Sequence, residues 1–228
     1  MKTLLTLVLM AMVALALPSV WAQADQSQHR AVIETPAQRR HVADPTAKVY
    51  PSPVSPAGVF PLSIGLIPPA QFPAEDWDVM GLRLNIFVGQ HNNVGFIDLG
   101  VLGNLSHGDV MGLEIAGVWN QVAQNAQVIQ IAGIGNHVLG QFKGLQFAGV
   151  VNYGNISADV LGLQLACANV AGGLEGVQIG LFNRAEEVSG LQVGVINMTR
   201  NMSGLQLGLI NIISDSNVPF MIVLNAAF

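Results

Sequence analysis

The chain has 228 residues, is 51% hydrophobic and only 10% charged, and carries a net charge of -5. Its body holds no cluster of Lys or Arg, which excludes the electrostatic footprint that DNA or RNA binding needs. With a single cysteine there is no intramolecular disulfide, and Cys167, beside Ala166 and Ala168, is expected to be a buried and chemically quiet core residue.

Met1-Lys2, the apolar run from Thr3 to Leu17, and small residues ending at Ala22 or Ala24 have the three parts of a secretory signal, so residues 1–24 read as a signal peptide. No later segment offers an apolar run long enough for a membrane-spanning helix. Residues 25–57 are polar and Pro-containing and read as a flexible leader. Eight prolines fall between Pro45 and Pro73 and none between Ala74 and Val218. Because proline removes a ladder donor, that shift marks where a sheet begins. Residues 58–80, still Pro-bearing but apolar enough to pack, are expected to cap the first sheet edge.

Residues 81–228 are an internal repeat. The clearest copies are GVQIGLFN from Gly176, GLQVGVIN from Gly190 and GLQLGLIN from Gly204, and looser copies begin at Gly112, Val128, Gly144 and Gly162. One slot of the repeat holds Arg83, Asp98, Glu114, Gln130, Gln146, Gln164, Gln178, Gln192 and Gln206, with Phe220 in a terminal copy. A second slot holds Asn104, Asn120, Asn136, Asn152, Asn169, Asn183, Asn197, Asn211 and Asn225, which gives about ten units. Within a unit Leu191, Val193 and Val195 alternate with Gly190, Gln192 and Gly194, the period of a strand.

Two all-β architectures accept such a repeat: a β-solenoid of about ten short coils, or an up-and-down outer-membrane β-barrel. The two slots are six residues apart in four units and five apart in the next four. One extra residue inside a continuous strand flips everything after it to the other face, a severe penalty where one face meets lipid. At a solenoid corner the same residue only widens the turn, and the extra positions, Ala116, Ala132 and Ala148, stand beside glycines. The solenoid is therefore the preferred reading. In favour of the barrel, Gly81 to Asn217 contains only four Lys or Arg and eight Asp or Glu, and the apolar alternation from Phe220 to Phe228 resembles the C-terminal signal of outer-membrane barrels.

Sites for chemistry are sparse. The histidines, His29, His41, His91, His107 and His137, form no metal-ligand spacing and read as solvated loop residues. Asp98 and Glu114 occupy adjacent slots, as a catalytic carboxylate pair would, but Arg83 precedes them, and a self-compensating charge ladder is the simpler reading. Glu186, Glu187 and Asp215 read as solvated turn residues. The amides of Gln130, Gln146, Gln164, Gln178, Gln192 and Gln206, and of Asn152, Asn169, Asn183, Asn197 and Asn211, are expected to stack as structural ladders, each donating and accepting along the axis. The other reading makes the glutamine row a flat amide surface for a glycan or ice, although the regularly placed threonines of ice-type surfaces are missing.

The repeats GVQIGLFN, GLQVGVIN and GLQLGLIN, with PLSIGLIPPAQFPAEDWDVMGLRLN before them and PFMIVLNAAF at the end, resemble a group of uncharacterised exported bacterial surface-repeat proteins, over residues 58 to 228. The resemblance implies a repeat β fold at the cell envelope, and no ligand, cofactor or functional residue. The chain is thus expected to be exported to the periplasm, outer membrane or cell surface. There it would act without catalysis as a structural or interaction protein, presenting a repeat β surface to an envelope protein, a polysaccharide or itself. An integral outer-membrane barrel is the alternative, and a polysaccharide-acting solenoid enzyme comes third.

Overall fold

The structure is a computed structural model that describes residues 56–155 and 158–227. The expected signal peptide and nearly all of the leader lie outside the described residues. Within them the chain is all-β and winds as a β-solenoid. A turn consists of a long strand, a tight corner, a short strand and a second corner. The long strands are β1 (Val59–Ile67), β3 (Asp78–Asn85), β5 (Val94–Gly100), β7 (Val110–Ala116), β9 (Ala126–Ala132), β11 (Phe142–Ala148) and β13 (Asp159–Leu165). They stack in parallel on one side, in that order. The short strands β4 (Val88–His91), β6 (Gly103–Ser106), β8 (Trp119–Val122), β10 (Gly135–Val138) and β12 (Val151–Gly154) stack in parallel on the other. Both stacks run into β14 (Ala168–Ile213), whose 46 residues carry the winding on without a break in the ladder. Parallel pairing of successive units is what a solenoid requires and an up-and-down barrel cannot have.

About seven turns are resolved as separate strands, fewer than the ten units of the repeat. One reason lies in the last unit. Phe220 and Asn225 do not continue the two slots, because β15 (Phe220–Ala227) is antiparallel to β14 and pairs Asn225 with Gln206. The turn after Ile213 and the fixed φ of Pro219 reverse the chain, so the C-terminus closes the last turn instead of adding another. The N-terminal end is closed in a related way. β1 joins the long-strand stack, pairing Ser63 with Arg83, and β2 (Ala70–Phe72) folds back on it antiparallel. The ring of Phe72 packs edge-on against Phe60, with centroids 5.1 Å apart.

The corners follow the repeat. Ala116, Ala132 and Ala148 end their long strands as buried residues, and the glycine after each makes the turn. A side chain at Gly117, Gly133 or Gly149 would lie 2.0 to 2.2 Å from the carbonyl oxygen of the turn below. The repeat glycines Gly112, Gly144, Gly162, Gly176, Gly190 and Gly204 form a column with φ between 112° and 148°, a region other residues seldom enter.

Half of the interior is apolar. Val79, Val94, Val110, Ala126, Phe142, Val160 and Leu174 stack in register as one buried column, facing Val122, Val138, Ala171 and Ala185 from the short-strand side. The other half is polar, and it is built from the two slots of the repeat.

Candidate functional site

The slot residues point inward. Gln130, Gln146, Gln164, Gln178, Gln192 and Gln206 are each no more than 1% exposed, and so are Asn104, Asn120, Asn136, Asn152, Asn169, Asn183, Asn197 and Asn211. A buried amide is costly unless its donors and acceptors are met, and stacking meets them. From Gln146 on, each glutamine donates from Nε2 to Oε1 of the glutamine one turn below, at 2.7 to 2.8 Å. Each asparagine from Asn104 to Asn197 donates from Nδ2 to Oδ1 of the asparagine one turn above, at 2.8 to 3.0 Å. The second N–H of Asn136, Asn169, Asn183 and Asn197 goes to the carbonyl oxygen of a long strand at 2.9 Å. The two rows therefore donate in opposite directions along the axis, and their dipoles oppose one another. With no exposed amide row, the glutamines do not form a glycan-binding surface.

The glutamine ladder ends on charge. Gln130 donates to Oε2 of Glu114 at 2.6 Å. One turn further, Arg83 grips Asp98 with both arms of its fork, through Nε at 2.7 Å to Oδ1 and through Nη2 to Oδ2. Arg83, Asp98 and Glu114 are buried, at 0%, 1% and 0% exposure. Burial and the charge of Asp98 push the Glu114 carboxyl up from an ordinary 4.5 to about 8. The proton is thereby favoured on Glu114, beside the Arg83–Asp98 ion pair. The carboxylates lie inside the core between two sheets, where no surface presents them to a polymer.

His91 lies in the same cluster, contrary to the expectation of a solvated loop. It occupies the inward column that Val122 and Val138 fill in later turns, and it is fully buried. Arg83 Nη1 donates to its Nδ1 at 3.5 Å, which leaves the proton on Nε2, facing the Pro73 carbonyl oxygen and Ser63 Oγ at 3.2 Å each. Desolvation and the Arg83 charge lower its pKa to about 4. His137 also lies in a strand, half-buried with its ring centroid 5.1 Å from that of Tyr153, and burial lowers its pKa to about 4. His107 is exposed and bonded to Gln90. His29 and His41 are outside the described residues. Cys167 is exposed at a corner rather than buried, because the chain turns outward there; its Sγ lies 3.2 Å from the Gly149 carbonyl oxygen. Glu186 and Asp215 form surface ion pairs with Arg184 and Arg200, at 2.9 and 3.2 Å.

With amides inside, the leucines and isoleucines of the repeat face out. On the long-strand side the residues just before and just after the slot form two columns in register. They run from Leu62 and Ile64 through Ile97 and Leu99, Ile129 and Ile131, and Leu145 and Phe147 to Val177 and Ile179. Leu191, Val193, Leu205 and Leu207 continue the pattern. No polar or charged residue interrupts either column. A corner column extends the apolar surface, with Leu102, Val150, Leu181, Val195 and Leu209 exposed by 37 to 63%. Near its N-terminal end the face carries a depression of about 400 Å³, lined by Ile64, Leu84, Ile86, Leu99, Val101 and Ile115 among others.

Charge borders the columns at the start of the long strands, where Lys143 and Glu175 stand two residues before Leu145 and Val177, and otherwise lies on corners and the short-strand side, with Asp109, Glu187 and Asp215 exposed. A continuous apolar surface of this kind sets the fold apart, since scattered apolar residues are ordinary and a patterned sheet face is not. The sequence held a signal for this orientation that alternation alone does not reveal: the slot shares its strand face with small residues such as Ala116, Ala132 and Ala148, while the bulky residues share the other. Set beside known proteins, the chain matches no family model, no curated protein and no solved structure.

Proposed function

We propose that this chain is an exported, non-enzymatic structural or interaction protein of the bacterial cell envelope, which docks through the apolar face of its long-strand sheet. The observation that carries the reading is the pair of unbroken outward columns, from Leu62 and Ile64 to Val177 and Ile179, on a fold whose core is already filled. The two columns themselves offer neither a nucleophile nor a titratable group; Cys167 in the corner column is the one thiol beside them. The columns also lack the donors and acceptors that a polysaccharide's hydroxyls demand, so a protein surface is the better match. The chain's signal-like start supports the envelope address.

Fractionation tests the reading. The full chain, expressed in a bacterial host, is expected in the envelope fraction and released from it by urea or carbonate. Replacing Leu145 and Leu163 together by Glu puts two charges in the middle of the face and is expected to shift the protein to the soluble fraction. Equal distribution of the two proteins would remove the docking role.

A further inference from the structure

We infer that the occupant of the apolar face is a second copy of this chain, packed sheet to sheet. The inference rests on the docking reading above and names its partner.

Three observations converge on a copy. The first is periodicity: the apolar columns repeat once per turn with an unbroken register from Ile97 to Ile179. An identical sheet has the same strand spacing of about 4.8 Å, so two faces interdigitate along their whole length, whereas an unrelated surface falls out of step within a few turns. The second is area. The seven separate long strands and the three repeats carried by β14 make ten rungs, which at about 4.8 Å give a face roughly 45 Å long, and two columns with the corner column are roughly 20 Å wide, or roughly 900 Å² against the ~800 Å² per partner of a stable interface.

The third is charge. A surface built for a bilayer carries Lys and Arg beside its apolar face. Here the bordering edge carries Asp109, Glu175 and Glu187 with Lys143, and the chain's net charge is -5. Anionic lipid headgroups would be repelled, while an uncharged, self-complementary face suits an isologous two-fold contact. A two-fold axis along the strand direction sets apolar corner over apolar corner and leaves both acidic edges at the wet rim. An axis along the solenoid would press the acidic edge of one copy onto the apolar corner of the other.

Sedimentation equilibrium of the purified chain tests the inference. Twice the chain mass is expected at concentrations on the order of micromolar, with dissociation on dilution. The Leu145→Glu/Leu163→Glu variant is expected to be monomeric with an unchanged strand signal in circular dichroism, and Lys143→Glu, on the polar edge, to remain dimeric. The wild-type result does not depend on how any variant folds: a monomer at the highest soluble concentration overturns the inference. If that monomer still loses its envelope association in the double-Glu variant, the face docks on a different protein. If it floats with phosphatidylethanolamine–phosphatidylglycerol vesicles, the occupant is lipid. If neither property responds to the variant, the docking reading falls as well.

Discussion

Glu114 is the residue where the neutral ladder meets the charged end of the core, and its environment makes stability depend on pH. Its folded pKa of about 8 lies above the ordinary 4.5. The folded state therefore holds the proton more tightly, so the stabilisation is fully present below pH 4.5 and is lost as pH rises to about 8. His91 and His137 act at the other end, because their folded values near 4 lie below the ordinary 6.5: stability is full above 6.5 and declines as pH falls through about 4. Glu114→Gln supplies the same hydrogen-bonding shape without the titration and lengthens the amide ladder by one rung. Urea titrations should find the variant more stable than the parent above pH about 8, by on the order of a few kcal/mol, with the gap closing towards pH about 5. A gap of constant size across that range would rule out titration of Glu114 as its cause.

At the scale of the strand, the notable feature is parity. In β13 the inward residue is Gln164, which donates to Gln146 at 2.7 Å and accepts from Gln178 at 2.8 Å, while Leu163 and Leu165 face out. The usual expectation for exchanging polar and apolar residues is thereby inverted. Gln164→Leu strands a buried acceptor on one neighbour and a buried donor on the other, and should cost on the order of 2–4 kcal/mol. Leu163→Gln touches only the outer face and should stay within about 0.5 kcal/mol in the monomer. Thermal melts of the two single variants check this, and the reverse ranking would mean that the amides are not the buried side. Alternation was plain in the sequence, but a strand of period two does not say which of its faces is covered.

For the whole molecule, stacking means that each turn touches only its two neighbours, with β2 and β15 sealing the ends. A whole turn is then removable. Deleting the 14 residues Gly190–Ser203 joins Ser189 to Gly204 and lets Gln178 meet Gln206, and Asn183 meet Asn211, as new neighbours. Circular dichroism and thermal melts should show the same β signal and a cooperative transition at a modestly lower midpoint. Deleting only Gly190–Ile196 leaves half a turn, puts the asparagine row out of step, and should abolish the cooperative transition. If both deletions behave alike, the units are not stacked turns.

The sequence by itself determined the repeat, the columns that share a slot, the corners where one extra residue beside a glycine is tolerated, and the neighbouring positions of Arg83, Asp98 and Glu114. Each of these follows from local spacing, because stacking places equivalent positions of successive units side by side. What only the tertiary structure decided is which side is inside. That choice depends on how narrow the space between the two stacks is, and on whether each amide finds its partner a turn away, and neither quantity belongs to a single unit. Tertiary context also moved residues from their expected places. His91 was drawn into an inner column that valines fill elsewhere, and Asn225 was set against Gln206 by a reversed strand. Cys167 was turned out at a corner. An apolar exterior arose because hydrogen-bonded amides and small side chains fit the narrow core, leaving the leucines and isoleucines no place but the surface.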